Sequence, residues 1–164
     1  MVKRIELSIL FLYNKNVMYM KVIFLDFNGI VDTYENMDEI NLGNLDRLKK
    51  LCELCNASVV YSSSNRYSRF GKELVSKMME LGLDIVGVTP KLGSREEEIR
   101  AYLEEHPEID NYCVLDDDYD MDFGNRMIKL PMQGPGSVGF TEEYFNKATM
   151  VLGIVKDKES TYGR

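Results

Sequence analysis

The chain has 164 residues, 45% of them hydrophobic and 29% charged, with 12 Gly and 4 Pro. That is the length of one domain with enough apolar material for a core, and it excludes a disulfide-stapled mini-protein and a disordered, collagenous or fibrous chain. Lys and Arg total 20 against 27 Asp and Glu, a net charge of −7, so broad nucleic-acid binding and attraction to anionic membrane are not expected, and any polyanionic substrate has to be met locally through a metal ion.

The first stretch, residues 1–19, holds Lys3, Arg4 and the apolar run from Ile9 to Tyr13. That run is far shorter than the ~20 residues of a membrane span, and no small-residue cleavage site follows it. The segment reads as an N-terminal extension, either an extra strand or chain upstream of a start at Met18 or Met20. From Lys21 onward short apolar runs alternate with amphipathic segments, the pattern of repeated β-α units on a parallel sheet. The first strand, Lys21 to Leu25, runs into Asp26-Phe27-Asn28-Gly29. A helix follows from Leu42 to Cys55, with Leu42, Leu45, Leu48, Leu51 and Cys52 at three- and four-residue spacing. The second strand, Ala57 to Tyr61, runs into Ser62-Ser63-Ser64-Asn65-Arg66. Next come a helix from Tyr67 to Leu81, a strand from Ile85 to Val88, and a helix from Ser94 to Glu105, which Ser94 and Glu97 open as a capping box. A strand from Tyr112 to Leu115 ends in Asp116-Asp117-Asp118. A last strand, Met127 to Leu130, leads through the loop Pro131 to Gly139 into a helix from Thr141 to Leu152. Residues 154–164 form a tail, so the domain spans 20–153.

The expected fold is α/β: a doubly wound, Rossmann-like parallel sheet of about five strands with no sizeable cap domain. Asp32 to Asn41 and Asn65 to Arg69 are too short to fold independently. Ligands of such sheets bind beyond the carboxyl ends of the strands. Three of those ends carry Asp26, Ser62 and the pair Asp116 and Asp117. Carboxylates gathered there call for a hard cation with oxygen ligands, Mg²⁺ more readily than Zn²⁺, because no His or Cys stands at these positions.

Several features take plainer readings. Asp120 and Asp122 suit a solvated loop, since the calcium pattern starting at Asp118 fails at Phe123 and Lys129. Gly134 to Gly139 matches a dinucleotide fingerprint as text, but too little chain follows to complete the unit. Cys52 and Cys55 suit helix packing, and His106 suits a helix end. Ser63 and Ser64 suit a turn. Three cysteines, an odd count, favour free thiols and a reducing cytoplasm.

The order of these motifs resembles the haloacid dehalogenase-like (HAD) superfamily over most of residues 20–153, in a small capless branch similar to the HAD domain of RNA-repair proteins. Its Asp-x-Asp-Gly motif is matched by Asp26-Phe27-Asn28-Gly29 with one departure. Its strand-end Ser or Thr is matched by Ser62, its paired acids by Asp116 and Asp117, and its helix-start cation by either Arg95 or Lys91. The resemblance implies a phosphatase or phosphotransferase that forms an aspartyl-phosphate on Asp26. Mg²⁺ would be held by Asp26, Asp116, Asp117 and the backbone carbonyl of Asn28. Ser62 and Arg95 or Lys91 would bind the phosphoryl group, with Gly29, Ser63 and Arg66 as further substrate contacts. Asn28 stands where the family's phosphatases carry their general acid, and an amide exchanges no proton at neutral pH. The alternative is therefore a catalytically weak phosphate-binding or regulatory module. The substrate class is a phosphorylated small molecule or a nucleic-acid end.

Overall fold

A computed structural model describes residues 19–155; the N-terminal extension as far as residue 18 and the tail from residue 156 lie outside the described residues. Five strands, β1 (Met20–Leu25), β2 (Ala57–Tyr61), β3 (Ile85–Val88), β4 (Ile109–Asp116) and β5 (Met127–Lys129), alternate with α1 (Leu42–Cys55), α2 (Arg69–Glu80), α3 (Arg95–Glu105) and α4 (Glu142–Leu152). Every strand pairing is parallel, in the order β3-β2-β1-β4-β5. The fold is the expected α/β, Rossmann-like parallel sheet flanked by helices, with no cap evident among the described residues. No helix among the described residues is long and apolar enough to cross a membrane.

Strands covered on both faces need apolar residues at consecutive positions, and β1 shows why its run is unbroken. Ile23 and Leu25 join Val59, Tyr61, Cys113 and Leu115 in a core closed by α1, α2 and α4. Val22 and Phe24 join Val60 and Val114 on the other face, against Ile99 and Tyr102 of α3 and Met121 and Phe123 of the loop beyond β4. Phe24 meets the rings of Tyr102 and Tyr112 edge-on, each at 5.8 Å, the arrangement that aromatic quadrupoles favour. Cys52, Cys55 and Cys113 are buried and free, and burial pushes the Cys52 thiol up to about 12, which suits packing rather than redox work. His106 ends α3 stacked on Tyr102 at 3.9 Å, with Nδ1 2.8 Å from the Tyr102 carbonyl.

The departures from the sequence pattern are local. β4 starts at Ile109 rather than Tyr112, because Met20 pairs with Ile109 and the polar Asn111 finds partners inside the fold. Its side-chain amide donates to the carbonyls of Val151 and Leu152 at 3.0 and 3.2 Å, satisfying the open end of α4. α2 starts at Arg69 rather than Tyr67, because Ser68 caps it, accepting from the Gly71 amide at 3.0 Å. Leu42 is 60% exposed, whereas Leu45, Leu48 and Leu51 are buried; the helix only reaches the sheet after its first turn. At Ser94 one arm of the capping box forms, with the hydroxyl accepting from the Glu97 amide at 3.3 Å. The Glu97 carboxylate lies instead beside Gly93.

Candidate functional site

From β1 the chain steps outward to β2 and β3, then crosses back to β4 on the opposite side of β1. The crevice of a doubly wound sheet opens at that reversal, here outside the ends of β1 and β4. Each ladder continues one bond past its strand. The Asp26 amide donates to the Leu115 carbonyl at 3.1 Å, Ser62 to Leu25 at 2.9 Å, and Thr89 to Tyr61 at 3.1 Å. Asp26, Ser62, Thr89 and Asp116 therefore occupy one row across the rim, all of them buried.

Asp26, Asp116 and Asp117 each present a carboxylate oxygen within 4.8 Å of the other two. Gly29 makes the third member fit: its φ is +81°, and a Cβ there would come to 3.0 Å from Asp117 Oδ2. Such repulsion needs a countercharge, and the structure places Arg95, the first residue of α3, against it. Its Nη1 donates to both Asp116 oxygens at 2.9 and 2.8 Å and lies 3.4 Å from Asp26 Oδ2. Lys91 is exposed and makes no ion pair or hydrogen bond among the described residues, so of the two candidate cations it is Arg95 that reaches the acids.

Burial, with the Asp116 charge next in weight, raises the Asp26 carboxyl to about 7, although Arg95 opposes the shift. Burial also raises Asp116. A carboxyl titrating near 4 in the unfolded chain and near 7 in the folded one leaves the folded state binding more protons between those values. Stability from this source is full below about pH 4 and is lost as pH rises to about 7. The melting temperature of metal-stripped protein is therefore expected to fall from pH 5 to pH 8, and a flat profile would contradict the environment described for Asp26.

Among the described residues, two buried hydroxyls, Ser62 Oγ and Thr89 Oγ1, have no hydrogen-bond partner. An orphaned buried hydroxyl costs stability unless something else engages it, and at Ser62 it lies in the row beside Asp26. Ser63 is buried in the following turn, with its carbonyl accepting from Arg66 Nη1 at 3.1 Å.

Arg66 does not project free toward the acids. Its guanidinium, 4% exposed, donates to the carbonyls of Thr89, Ser63 and Pro90 and pairs with Glu98 of α3 at 2.8 Å. Glu98 in turn accepts from the Leu92 amide at 3.0 Å. The pair ties the loops after β2 and β3 to the helix that carries Arg95. Arg66→Ala is expected to cost about 3–5 kcal/mol, because it strands Glu98 as a buried charge. Thermal melts of Arg66→Ala, Glu98→Ala and the double variant check this; the double should lie well short of the sum.

Around Asn28 and Asp32 the site also includes Asp38 and Gln133, which the motif pattern did not single out. The Asn28 side-chain amide donates to Asp32 Oδ2 at 2.7 Å and to Asp38 Oδ1 at 2.9 Å. The fully buried Asp32 carboxylate accepts as well from the amides of Gly29 at 2.7 Å and Asp38 at 2.9 Å, and from Gln133 Nε2 at 3.0 Å. Asp32 is thus committed as the hub of its loop. Asp38, at φ +65°, and Gln133 carried no motif; the tolerance of Asp for left-handed backbone was the one available signal. Asp118 donates its amide to Asp116 Oδ1 at 3.0 Å, while Asp120 and Asp122 are exposed as expected.

Comparison with known proteins found one correspondence. A family model for the HAD domain in Swiss Army Knife RNA repair proteins matches residues 22–145. No curated protein and no solved structure matches the chain. The matched span runs from within β1 through β5 and includes Asp26, Ser62, Arg95 and Asp116; the chain belongs to the HAD-like superfamily, in the family of HAD domains of Swiss Army Knife RNA repair proteins.

Proposed function

We propose that the protein is a Mg²⁺-dependent phosphatase or phosphotransferase for phosphomonoesters, with Asp26 as the nucleophile. The observation that carries this reading is the convergence of Asp26, Asp116 and Asp117 at the switch point of the sheet. Three carboxylate oxygen donors, two of them on buried residues, suit a small hard cation. Asp26, Asp116, Asp117 and the carbonyl of Asn28, which accepts no hydrogen bond among the described residues, would hold it. When bound, Mg²⁺ supplies charge that offsets the repulsion between the acids and an incoming phosphate.

The chain's own groups account for the rest. An Asp26 carboxylate oxygen forms a bond to phosphorus as the ester P–O bond breaks, and the electron pair leaves on the substrate oxygen, which takes up a proton. Ser62 Oγ, with no partner among the described residues, donates to a phosphoryl oxygen. Arg95 neutralises the charge spread over the group in transfer. Water then attacks the same phosphorus, returning the Asp26 carboxylate and inorganic phosphate; an acceptor alcohol in place of water makes the enzyme a phosphotransferase. Asn28 contributes no proton, so the step that requires one is slow.

Incubation with p-nitrophenyl phosphate tests the reading, since that leaving group needs little protonation. Phosphate release that depends on Mg²⁺ and is abolished by a chelator is expected. Release unaffected by the chelator, or none at any metal concentration, contradicts it. The weaker reading, a phosphate-binding module, is favoured by Asn28 alone and predicts phosphate binding without turnover.

A further inference from the structure

Ser62 and Arg95 reach the phosphoryl site from different kinds of element. The sheet fixes Ser62, whose amide continues the ladder to the Leu25 carbonyl at 2.9 Å. Arg95 is the first residue of α3, where backbone bonding is incomplete, and its long side chain carries about 2 kcal/mol of rotamer entropy. Something has to hold that first turn in place. The buried residues of α3 are Glu98, Ile99 and Tyr102, so apolar packing begins only at Ile99, and the buried member of the first turn is a carboxylate.

We propose that the buried Arg66–Glu98 ion pair positions Arg95 against the reacting phosphate, so that Arg66 and Glu98 are positioning residues of the reaction. The inference rests on the phosphoryl-transfer reading above and adds what sets the place of its cation. Glu98 uses both oxygens: Oε1 accepts from the Leu92 amide at 3.0 Å, and Oε2 pairs with Arg66 Nη2 at 2.8 Å. The first bond holds the loop that leads to the Ser94 cap, and the second holds the turn that begins with Arg95. Arg66 is braced in turn on three carbonyls, through Nε to Thr89 at 2.8 Å, Nη1 to Ser63 at 3.1 Å and Nη2 to Pro90 at 2.6 Å. Ser63 follows Ser62, and Thr89 stands in the row that holds Asp26. A planar, rigid guanidinium therefore sets the spacing between that row and α3.

The neighbours of Arg66 keep it there. The Tyr67 hydroxyl donates to the same Thr89 carbonyl at 2.7 Å, and its ring centre lies 5.0 Å from the guanidinium carbon. As a source of stability a buried ion pair is weak, because desolvation offsets the attraction. Its geometry is what counts here, since a displacement of about 1 Å at a reacting centre can cost about 10²-fold in rate.

The full chain with Mg²⁺ is assayed on p-nitrophenyl phosphate. Glu98→Gln, which keeps the side-chain shape and removes the charge, is expected to lower kcat by about 10- to 10²-fold. In an Arg95→Gln background, where the guanidinium to be positioned is already gone, the same change should add less than about twofold, because residues acting through one another are not additive. A loss of folded protein would lower both backgrounds alike. Equal factors in the two backgrounds, or wild-type kcat in Glu98→Gln, overturns the proposal. Side-chain NMR of arginine-labelled protein supplies a readout without turnover, the Arg95 Nε–H signal being identified by its loss in Arg95→Gln. Greater mobility of that group in Glu98→Gln supports the proposal, and an unchanged order parameter overturns it. If wild type turns over no ester, the phosphoryl-transfer reading fails, and the NMR result alone decides whether the pair holds Arg95. Should Glu98→Gln not fold, Arg66→Met combined with Glu98→Leu, which strands no charge, is measured in its place with the same outcomes.

Discussion

Asp26→Asn is expected to abolish turnover of every phosphomonoester the wild-type chain hydrolyses, by about 10⁴-fold or more, the scale on which enzymes lose activity with their nucleophile. The change is nearly isosteric and leaves the contacts of Arg95 with Asp116 in place, so the loss cannot be charged to unfolding. Stability should move the opposite way. The wild-type carboxyl is buried beside Asp116, and a neutral amide removes that repulsion. Metal-free Asp26→Asn should melt at or above the wild-type temperature at pH 8. Steady-state assays and thermal melts on the same preparations measure both; retained activity would move the nucleophile elsewhere.

The second large effect concerns Asn28. Under the proposed mechanism an aspartate there would supply a proton donor, worth about 10²–10⁴-fold on leaving groups that need protonation. The surroundings explain why the single change will not deliver this cleanly. Asn28 bonds the carboxylates of both Asp32 and Asp38 through its amide hydrogens, and a carboxylate in its place would confront two of its own kind. Asn28→Asp alone should lose about 1–3 kcal/mol while its new carboxyl is driven toward the protonated form. Asn28→Asp combined with Asp38→Asn returns a donor to the cluster. This pair is expected to recover the stability and to raise turnover of an alkyl phosphate by the full factor. Equal turnover in the pair and in wild type, with Asp26→Asn inactive, would show that another group is the acid.

What could be read from the sequence follows the range of the interactions involved. Consecutive apolar positions announce strands covered on two faces, so β1 and β2 were legible from their apolar runs alone. A residue following such a strand has its place fixed by the ladder, which is why Asp26, Ser62 and Asp116 were legible as one rim. The choice between Lys91 and Arg95 needed the start of α3, set by the Ser94 cap. Arg66 looked like a ligand contact because a cation beside a strand end is the same text whether it faces solvent or a buried glutamate; only the packing of α3 supplies Glu98. Asp32 and Gln133 meet across 101 positions, and no local pattern carries a contact of that span.

The hydrogen bonds around Asp32 also bear on how the molecule ages. An Asn-Gly pair is prone to deamidation, because the glycine nitrogen, unshielded by a side chain, can attack the preceding amide and expel ammonia. At Asn28-Gly29 a single carboxylate holds both reacting partners: the Gly29 amide hydrogen bonds Oδ1 and the Asn28 side-chain amide bonds Oδ2. Attack requires these bonds, and the one from the Asn28 amide to Asp38, to give way together, so the chemical lifetime of this pair is set by how often the loop opens. Damage at the site would record past unfolding, and its products, an aspartate or isoaspartate carboxylate beside Asp32 and Asp38, would make the next opening easier.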